Sequence, residues 1–458
     1  MTQQNLNAVL NGLSRRRFLA SAAAVGGALA TGNVLAACGG DDDSGGGGSS
    51  ALSASEQELG ERLRAILGDP ENLMSDGPGS FNTSAMFGLS GTGAGTGKAQ
   101  QAGHVLGAKH VRAWTDGKLD LKTKYYDHKS GDPKASSNAV RQAGLDGNPF
   151  MIMSFSFGFG AVPPVAEQYE ILCLDPGGGV GPVFSGLPYC YGTRASWPED
   201  PQPGLVKMLK ELHPDIKRVA VVSAEVSDDW NTQIRATMEE IFQMEDLEMV
   251  AFELGEVGAT DYSTLVSQLR AKEPDATIFM TFGVDPGYQA REVKRQQMPG
   301  IFACSERQKE TVEVAGDAFK DWYFGFDSLN VENPPNDWTQ LFVDEFAKTD
   351  QGTPGIYEAG YYVNAFVNAL LMDRVLGAGG DINTGAAYVE ALEADPSFPH
   401  VYGGDGSTLG EMVIDLKAHS PSAIPMIGFQ DNGTGRYEDI TQLATYNIDA
   451  QDFKLLNS

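Results

Sequence analysis

The segment RVAVV at 218–222 is followed, after a polar loop, by an amphipathic segment at 230–243 and by a second apolar run, EMVAFEL, at 248–254. The apolar residues of 230–243 recur at the spacing of one face of a helix. A strand, a helix and a strand in this order are typical of layered α/β proteins, in which helices cover a parallel sheet. We therefore predict an α/β fold with parallel sheets.

The same alternation extends outward from this stretch in both directions. Runs rich in Val, Ile, Phe and Met, which are typical of strands covered on both faces, predict strands at 84–88, 119–126, 150–153, 171–174, 218–222, 248–254, 276–281 and 322–326. Amphipathic segments predict helices near 56–67, 203–212, 230–243, 262–272 and 357–376.

Length and charge indicate how many lobes the chain forms and which partners it does not bind. The chain has 458 residues, of which 41% are apolar. Because single hydrophobic cores stop growing at roughly 250–300 residues, we expect two lobes. The formal net charge is −28, and no basic cluster occurs outside the N-terminus. Such a surface repels phosphate backbones, so nucleic acid is not an expected partner.

The N-terminus resembles a twin-arginine export signal over residues 1–37, because Arg15, Arg16 and Arg17 precede an apolar run that ends at Ala37. The next residue completes the sequence LAAC at 35–38, which resembles a lipobox. Cys38 is then the expected lipidation site, and the protein is expected at the outer face of the cell membrane. An uncleaved transmembrane anchor is the alternative, since the run is nearly long enough to span a bilayer.

A flexible tether is predicted at 38–55, where Gly, Ser and Asp dominate and too little apolar surface exists for a core. Beyond it lie Cys173, Cys190 and Cys304. In an oxidising compartment Cys173 and Cys190 are the better disulfide pair. Alternatively, Cys173 is a buried small apolar residue within its strand.

The spacing of potential metal ligands and catalytic residues predicts neither a metal site nor an enzyme. The cysteines show no zinc spacing, and the six histidines occur singly, so we expect them in loops or at the surface. No GxSxG motif is present. The glycine-rich segment 91–98 lacks the first glycine and the hydroxyl residue of a phosphate loop, with Thr92 and Ala99 in those positions. It predicts a strand-to-helix turn, which either contacts an anionic ligand group or is a plain tight turn.

Taken together, the segments FGLSG at 87–91, YDHKSGDP at 126–133, RVAVV at 218–222, DYSTL at 261–265 and PDATI at 274–278 resemble a known family. It is the branched-chain amino-acid type of ABC transporter solute-binding protein, over roughly 81–447. The resemblance implies the type I periplasmic binding protein fold, with two Rossmann-like lobes joined by three hinge crossings. It predicts one lobe from 56–198 with 328–418, and a second from 199–327 with 419–458.

Positions in the first lobe follow from aligning the family through Pro176. Ser156 then lies where family members use a serine to bind a ligand carboxylate, and Phe157 adjoins it. Gly177 and Gly179 fall at backbone and threonine contacts of the next loop. Glycine in place of threonine removes a hydroxyl, which weakens the case for an ordinary branched-chain amino acid as ligand.

The second lobe is expected to contribute four residues. Trp230 falls near the family's aromatic wall, Phe282 and Asp285 follow the strand at 276–281, and Glu306 lies where an acidic residue often pairs with a ligand ammonium. Core packing for the two aromatic residues, and solvated loop positions for the two acids, are the alternatives.

The resemblance implies a monomeric, lipid-anchored binding protein without a cofactor, which passes an amino acid, an aromatic or branched carboxylate, or an amide to an ABC permease. A ligand sensor on the same fold and a secreted lipoprotein hydrolase are the alternatives.

Overall fold

The computed structural model describes residues 51–91, 94–154, 160–177, 184–197, 199–326, 329–448 and 452–456. Its helices are α1 (Ala54–Leu67), α2 (Glu71–Asp76), α3 (Ala94–Trp114), α4 (Pro133–Leu145), α5 (Pro163–Tyr169), α6 (Pro201–Leu212), α7 (Asp228–Met244), α8 (Ser263–Arg270), α9 (Asp285–Arg295), α10 (Lys309–Ala315), α11 (Asp337–Phe346), α12 (Ile356–Gly377) and α13 (Gly385–Ala394). None of these described helices is both long enough and apolar enough to cross a membrane.

The first sheet is parallel throughout and has the order β2-β1-β3-β4-β5. Its strands are β1 (Gly79–Phe87), β2 (Leu119–Asp127), β3 (Phe150–Ile152), β4 (Leu172–Asp175) and β5 (Cys190–Gly192). Core residues of α3 and α12 cover one face, and those of α4 and α5 cover the other. Burial on both faces explains why β3 and β4 are apolar at nearly every position.

The second sheet has eight strands in the order β16-β15-β14-β10-β9-β8-β6-β7. Five of them are parallel, namely β6 (Arg218–Ala224), β7 (Glu248–Gly255), β8 (Ala276–Met280), β9 (Ile301–Cys304) and β10 (Tyr323–Phe326). Antiparallel strands β14 (Pro425–Asp431), β15 (Ile440–Asn447) and β16 (Lys454–Leu455) complete it. Helices α6 and α7 pack on one face, and α8, α9 and α10 pack on the other.

A small antiparallel sheet follows α13. It contains β11 (Ser397–Gly404), β12 (Leu409–Asp415) and β13 (Ser420–Ala423). The chain thus moves from the first sheet to the second after β5. After β10 it forms α12, which packs on the first sheet, and the small antiparallel sheet, and after β13 it re-enters the second sheet. The predicted boundaries near 198 and 328 fall at the first two changes, and the one near 418 falls between β12 and β13. The division of the chain into lobes at these boundaries stays a prediction.

All eight predicted strands and all five predicted helices are present, with ends that differ by a few residues. The α/β prediction is therefore confirmed. Strands β5, β9 and β11–β16 were not predicted. Most of them are short or contain Gly or Pro within the strand, as in SFPHVYGG of β11 and PMIGFQD of β14, whereas β15, ITQLATYN, is rich in polar residues. Pairing with a neighbouring strand, rather than local sequence, specifies such strands.

Helix α12 is the centre of the first lobe, since 16 of its 22 residues are buried. Two glycines of α3 allow the two helices to approach closely. A Cβ atom at Gly103 would collide with the carbonyl of Glu358, and one at Gly107 would lie 2.6 Å from the carbonyl oxygen of Tyr362. Glycine at these two positions therefore determines how closely α3 packs on α12.

The expectation that the histidines lie in loops or at the surface is wrong for three of them. His104 and His110 are buried in α3, and His400 is buried in β11. His128 and His419 lie in loops but are also buried. A neutral imidazole packs like an apolar ring once a partner satisfies its nitrogen, as Tyr362 does at 2.9 Å from Nδ1 of His110. Burial lowers the pKa of His110 and His400 to about 3.

Candidate functional site

The two larger sheets meet through residues at or just after the carboxyl ends of their parallel strands. Asp175 ends β4, Arg194 lies two residues after β5, and Glu306 lies two residues after β9. The first two belong to the first sheet and the third to the second. In open α/β sheets the crevice at the carboxyl ends of the strands is where ligands bind. We refer to Asp175, Arg194 and Glu306, with their contacts, as the cleft cluster.

The guanidinium of Arg194 is the central group of the cleft cluster. Its side chain is 6% exposed, and its Nη2 lies 3.9 Å from Oε1 of Glu306, whose side chain is 14% exposed. The guanidinium also lies 4.3 Å from the ring centre of Phe326 and 5.1 Å from that of Tyr357. Aromatic faces attract a cation. Arg194 is therefore held as a buried cation between the lobes.

Glu306 has further partners on the side of the second lobe. Nε2 of Gln308 donates to its Oε2 at 2.7 Å, and the same amide nitrogen donates to the hydroxyl of Tyr357 at 3.2 Å. Burial raises the pKa of the Glu306 carboxyl, whereas Arg194, Gln308 and Tyr357 lower it, and the net direction is upward. Glu306 thus lies in a low-dielectric environment, where one nearby cation has a strong effect on its charge.

The predicted loop after β4 contacts Arg194. The amide of Gly177 donates to Oδ1 of Asp175 at 2.7 Å, and its carbonyl accepts from Nη1 of Arg194 at 3.0 Å. Gly177 therefore uses its backbone in the cleft cluster. The predicted ligand contacts Ser156, Phe157 and Gly179 lie outside the described residues.

Trp230 and Phe282, both predicted, are neighbours. Trp230 lies in the first turn of α7, where Ser227 caps the helix by accepting from its amide at 3.2 Å. Its ring lies 6.4 Å from that of Phe282 in an edge-on orientation, and it stacks on Trp197 at 5.1 Å. Trp197, three residues beyond Arg194, was not predicted. The three rings form what we refer to as the aromatic group.

Asp285 is buried at the first position of α9 rather than solvated. Both of its carboxylate oxygens accept from the amide of Gly258 at 3.1 Å. Burial raises the pKa of Asp285 to about 6, although the bonds from Gly258 and Tyr262 oppose the shift. Its described contacts are with the loop after β7, so nothing in them joins it to Glu306.

The glycine-rich segment lies between β1, which ends at Phe87, and α3, which begins at Ala94, and its residues 92–93 are outside the described residues. Asp127, at the end of β2, holds the residues just before this segment, because it accepts from the amides of Leu89 and Ser90 at 2.9 and 3.2 Å. Burial raises the pKa of Asp127, but its hydrogen bonds outweigh this and hold the pKa below its usual value. These bonds hold Leu89 and Ser90 against the end of β2.

Cys173 and Cys190 are directly opposite one another on β4 and β5. Both are buried, and both are free thiols in the structure. A hydrogen bond with the Cys173 thiol, together with burial, raises the pKa of Cys190 well above its usual value. The two residues are neighbours, as disulfide partners must be, and the bond itself stays a prediction.

A second ion pair joins the lobes near the cleft cluster. Nζ of Lys309, at the start of α10, lies 2.6 Å from Oε1 of Glu358 in α12. Beside the pair is a small recess lined by Thr96, Ala99, Gln308, Lys309, Glu310, Gly355, Ile356, Tyr357, Glu358 and Tyr437. In the part of the chain that the structure describes, no three His, Cys, Asp or Glu side chains are placed to hold a metal ion.

Sequence reasoning missed Arg194, Asp175 and Tyr357 of the cleft cluster, as well as Trp197. Arg194 follows β5, a three-residue strand that the apolar pattern did not predict. Tyr357 looked like one more apolar residue of a packing helix. One signal was available, because an arginine and an aspartate directly after short apolar runs are candidates for the carboxyl edge of a sheet.

Comparison with known proteins places this geometry in a family. A family model described as periplasmic binding protein matches residues 85–419. This range contains every residue of the cleft cluster and the aromatic group.

Solved structures share the fold at low sequence identity. The branched-chain amino acid transporter substrate-binding protein LivJ from Streptococcus pneumoniae, in complex with isoleucine, is 16% identical with a TM-score of 0.66, and the match covers 80% of this chain and 99% of that one. A leucine-, isoleucine-, valine-, threonine- and alanine-binding protein from Brucella ovis, in a closed conformation, is 16% identical with a TM-score of 0.69, covering 83% and 97%. A solute-binding protein from Rhodopseudomonas palustris in complex with benzoate is 16% identical with a TM-score of 0.64, covering 80% and 96%.

Proposed function

Since the chain belongs to the periplasmic binding protein family, whose members bind solutes rather than catalyse reactions, we propose that it is the extracytoplasmic substrate-binding component of an ABC importer. Its ligand is an amino acid or a related small carboxylate or amide, captured between the two lobes. The observation that carries this proposal is the contact of Arg194 with Glu306, which joins the carboxyl ends of strands from the two parallel sheets.

Ligand capture follows from the position of the cleft cluster. Arg194 and Gly177 belong to loops of the first sheet, and Glu306 belongs to the second, so a solute among them touches both lobes at once. Such a solute binds more tightly when the lobes approach, and it therefore shifts the hinge equilibrium toward closure. A permease that recognises the closed lobes then receives the solute.

The proposed ligand class rests on both the site and the neighbours. Isoleucine and benzoate are the ligands of two of the structural neighbours. Trp230, Phe282 and Trp197 offer apolar surface for a ligand body of either kind. We include Ser156, Phe157, Gly179 and Asp285 in the proposed binding site, as the family resemblance implies.

The test of binding is a thermal-shift screen of the purified protein against amino acids, aromatic acids and their amides, followed by calorimetry of the hits. A true ligand raises the melting temperature by mass action. We expect a carboxylate to be a hit and Ser156→Ala to weaken it by about tenfold, which corresponds to about 1.4 kcal/mol for a lost hydrogen bond to a charged group. A screen in which no small solute stabilises the protein contradicts the proposal.

We also propose export through the twin-arginine route and lipid attachment at Cys38, as the sequence of the leader implies. The test is labelling of growing cells with a radioactive fatty acid, followed by fractionation. Cys38→Ala should abolish the label, and replacement of both Arg15 and Arg16 by lysine should retain the chain in the cytoplasm. Arg17→Lys is the matched control. Label that persists in the Cys38 variant contradicts lipidation at this residue.

A further inference from the structure

We propose that Arg194 sets the ligand class, because it supplies beside Glu306 the positive charge that a ligand ammonium would otherwise supply. The preferred ligand is then a small carboxylic acid without an amino group. This inference rests on the proposed function, since it concerns the same cleft. It also revises the expectation that Glu306 pairs with a ligand ammonium.

The first step of the argument is that Arg194 is fixed in place. Its Nη1 donates to the carbonyl of Gly177 at 3.0 Å, and its guanidinium lies against the rings of Phe326 and Tyr357. With the side chain 6% exposed, these contacts leave little freedom for it to swing into solvent. The cation beside Glu306 is therefore a built part of the cleft.

The second step concerns charge. Glu306 has one carboxylate, and Arg194 already lies 3.9 Å from it. Gln308 occupies its other oxygen at 2.7 Å. A ligand ammonium at this place would bring a second buried cation next to the guanidinium, and like charges in a low-dielectric site repel strongly. A ligand that lacks the amino group avoids this repulsion.

The third step considers the other acids of the region. Asp175 accepts from the amide of Gly177, and Asp285 accepts from the amide of Gly258 through both oxygens. Lys309 is paired with Glu358 at 2.6 Å. Each described acid near the cleft thus has a donor from the protein. The aromatic group of Trp197, Trp230 and Phe282, which belongs to the proposed site, offers apolar surface to an uncharged ligand body.

The test compares ligands that differ by the amino group alone. Leucine is matched with 4-methylpentanoate, and phenylalanine is matched with 3-phenylpropanoate, by calorimetry on the purified protein. We expect the acid without the amino group to bind at least about tenfold more tightly in one or both pairs, a difference of about 1.4 kcal/mol. Arg194→Met should reverse or abolish that preference, because it leaves Glu306 without its cation.

Further variants keep the test decisive. Arg194→Lys keeps a positive charge and should keep the direction of the preference, even where the methionine variant fails to fold. Glu306→Gln should widen the preference, since it removes the anion that an ammonium would need. Arg295→Met alters an exposed pair with Glu292 and is the matched control, which should leave the ratio unchanged.

The outcomes separate this inference from the proposed function. If the amino acid of each pair binds at least as tightly as its partner, or if Arg194→Met leaves the ratio unchanged, the inference is overturned while solute binding stands. If the protein binds no small solute at all, the proposed function fails and the inference fails with it.

Discussion

Two arginines are buried beside carboxylates in this molecule, and they differ in location and in their distance from the carboxylate. Arg194 lies in the cleft, 3.9 Å from Glu306, and the two side chains are 6% and 14% exposed. Arg307 lies inside the second lobe, 2.6 Å from Asp431, and those side chains are 3% and 2% exposed. Glu306 and Arg307 are consecutive residues, so one loop after β9 directs an acid to the cleft and a base to the lobe interior.

The interior pair is also extensively hydrogen-bonded. Nε of Arg307 donates to Asp431 at 2.7 Å, and its other nitrogens donate to the carbonyls of Tyr437 and Arg436. Its guanidinium also lies near the rings of Phe324 and Phe429. A tight pair with its donors satisfied is structural, whereas a looser pair between lobes can exchange contacts with a ligand.

The largest expected effect is on the interior pair. Arg307→Met should lower the free energy of unfolding by about 3–5 kcal/mol, because it leaves the Asp431 carboxylate buried without its cation. Denaturant unfolding measures the loss. Combining it with Asp431→Asn should recover part of that loss, since no uncompensated charge remains. A loss no larger than that of Arg194→Met would break the comparison.

Asp285 extends the comparison of the two arginine pairs, because it is a buried acid with no cation among its described contacts. The pKa of Asp285 is about 6 when folded, against an ordinary value of 3.8. An acid whose pKa is raised on folding favours the folded state below the ordinary value, and this contribution is lost as the pH rises through the folded value. Asp285→Asn should therefore stabilise the protein at pH 7 by up to about 3 kcal/mol, and by close to nothing at pH 4.

Thermal unfolding across pH 4 to 7.5 measures the effect of Asp285→Asn. Asp261→Asn is the matched control, because Asp261 is exposed and the amide of Ser263 lowers its pKa. For this control the sign is opposite, with a small loss of stability above the ordinary pKa that disappears as the pH falls. Equal stabilisation by Asp285→Asn at both ends of the range would show that its charge is not responsible.

Arg194→Met should have a smaller effect on stability than Arg307→Met, less than about 2 kcal/mol. The reason is that the contact of Arg194 with Glu306 is long, at 3.9 Å, and Glu306 also accepts from Gln308. The same denaturant measurement applies. If Arg194→Met costs as much stability as Arg307→Met, the cleft cluster is structural rather than poised for a ligand.

The smallest effect is expected for the pair of Lys309 and Glu358, which joins the lobes at 2.6 Å with the lysine 28% exposed. Lys309→Met should lower stability by about 1 kcal/mol or less. It should weaken ligand binding a few-fold, because the pair favours approach of the lobes. Lys348→Met, which removes an exposed pair with Glu345 near the end of α11, is the control. If Lys309→Met leaves the ligand affinity unchanged, this ion pair does not contribute to closure of the lobes.

The sequence by itself determined the α/β class and eight of the ten described parallel strands, and it predicted where the site lies. Continuous apolar runs and helical spacing are local signals, which can be recognised without knowing which other parts of the chain pack against them. Trp230, Phe282, Gly177 and Glu306 were instead predicted from the family resemblance, which assigns them to loops and a helix end that follow strands.

Only the tertiary structure decided which charges meet. Arg194 and Glu306 are more than a hundred residues apart, and a three-residue strand places the first of them. Likewise, no residue near His110 in the sequence indicates that the hydroxyl of Tyr362 hydrogen-bonds to its Nδ1. Ion pairs and buried polar contacts depend on distance in space and on local dielectric, and neither quantity is encoded in the spacing of residues along the chain.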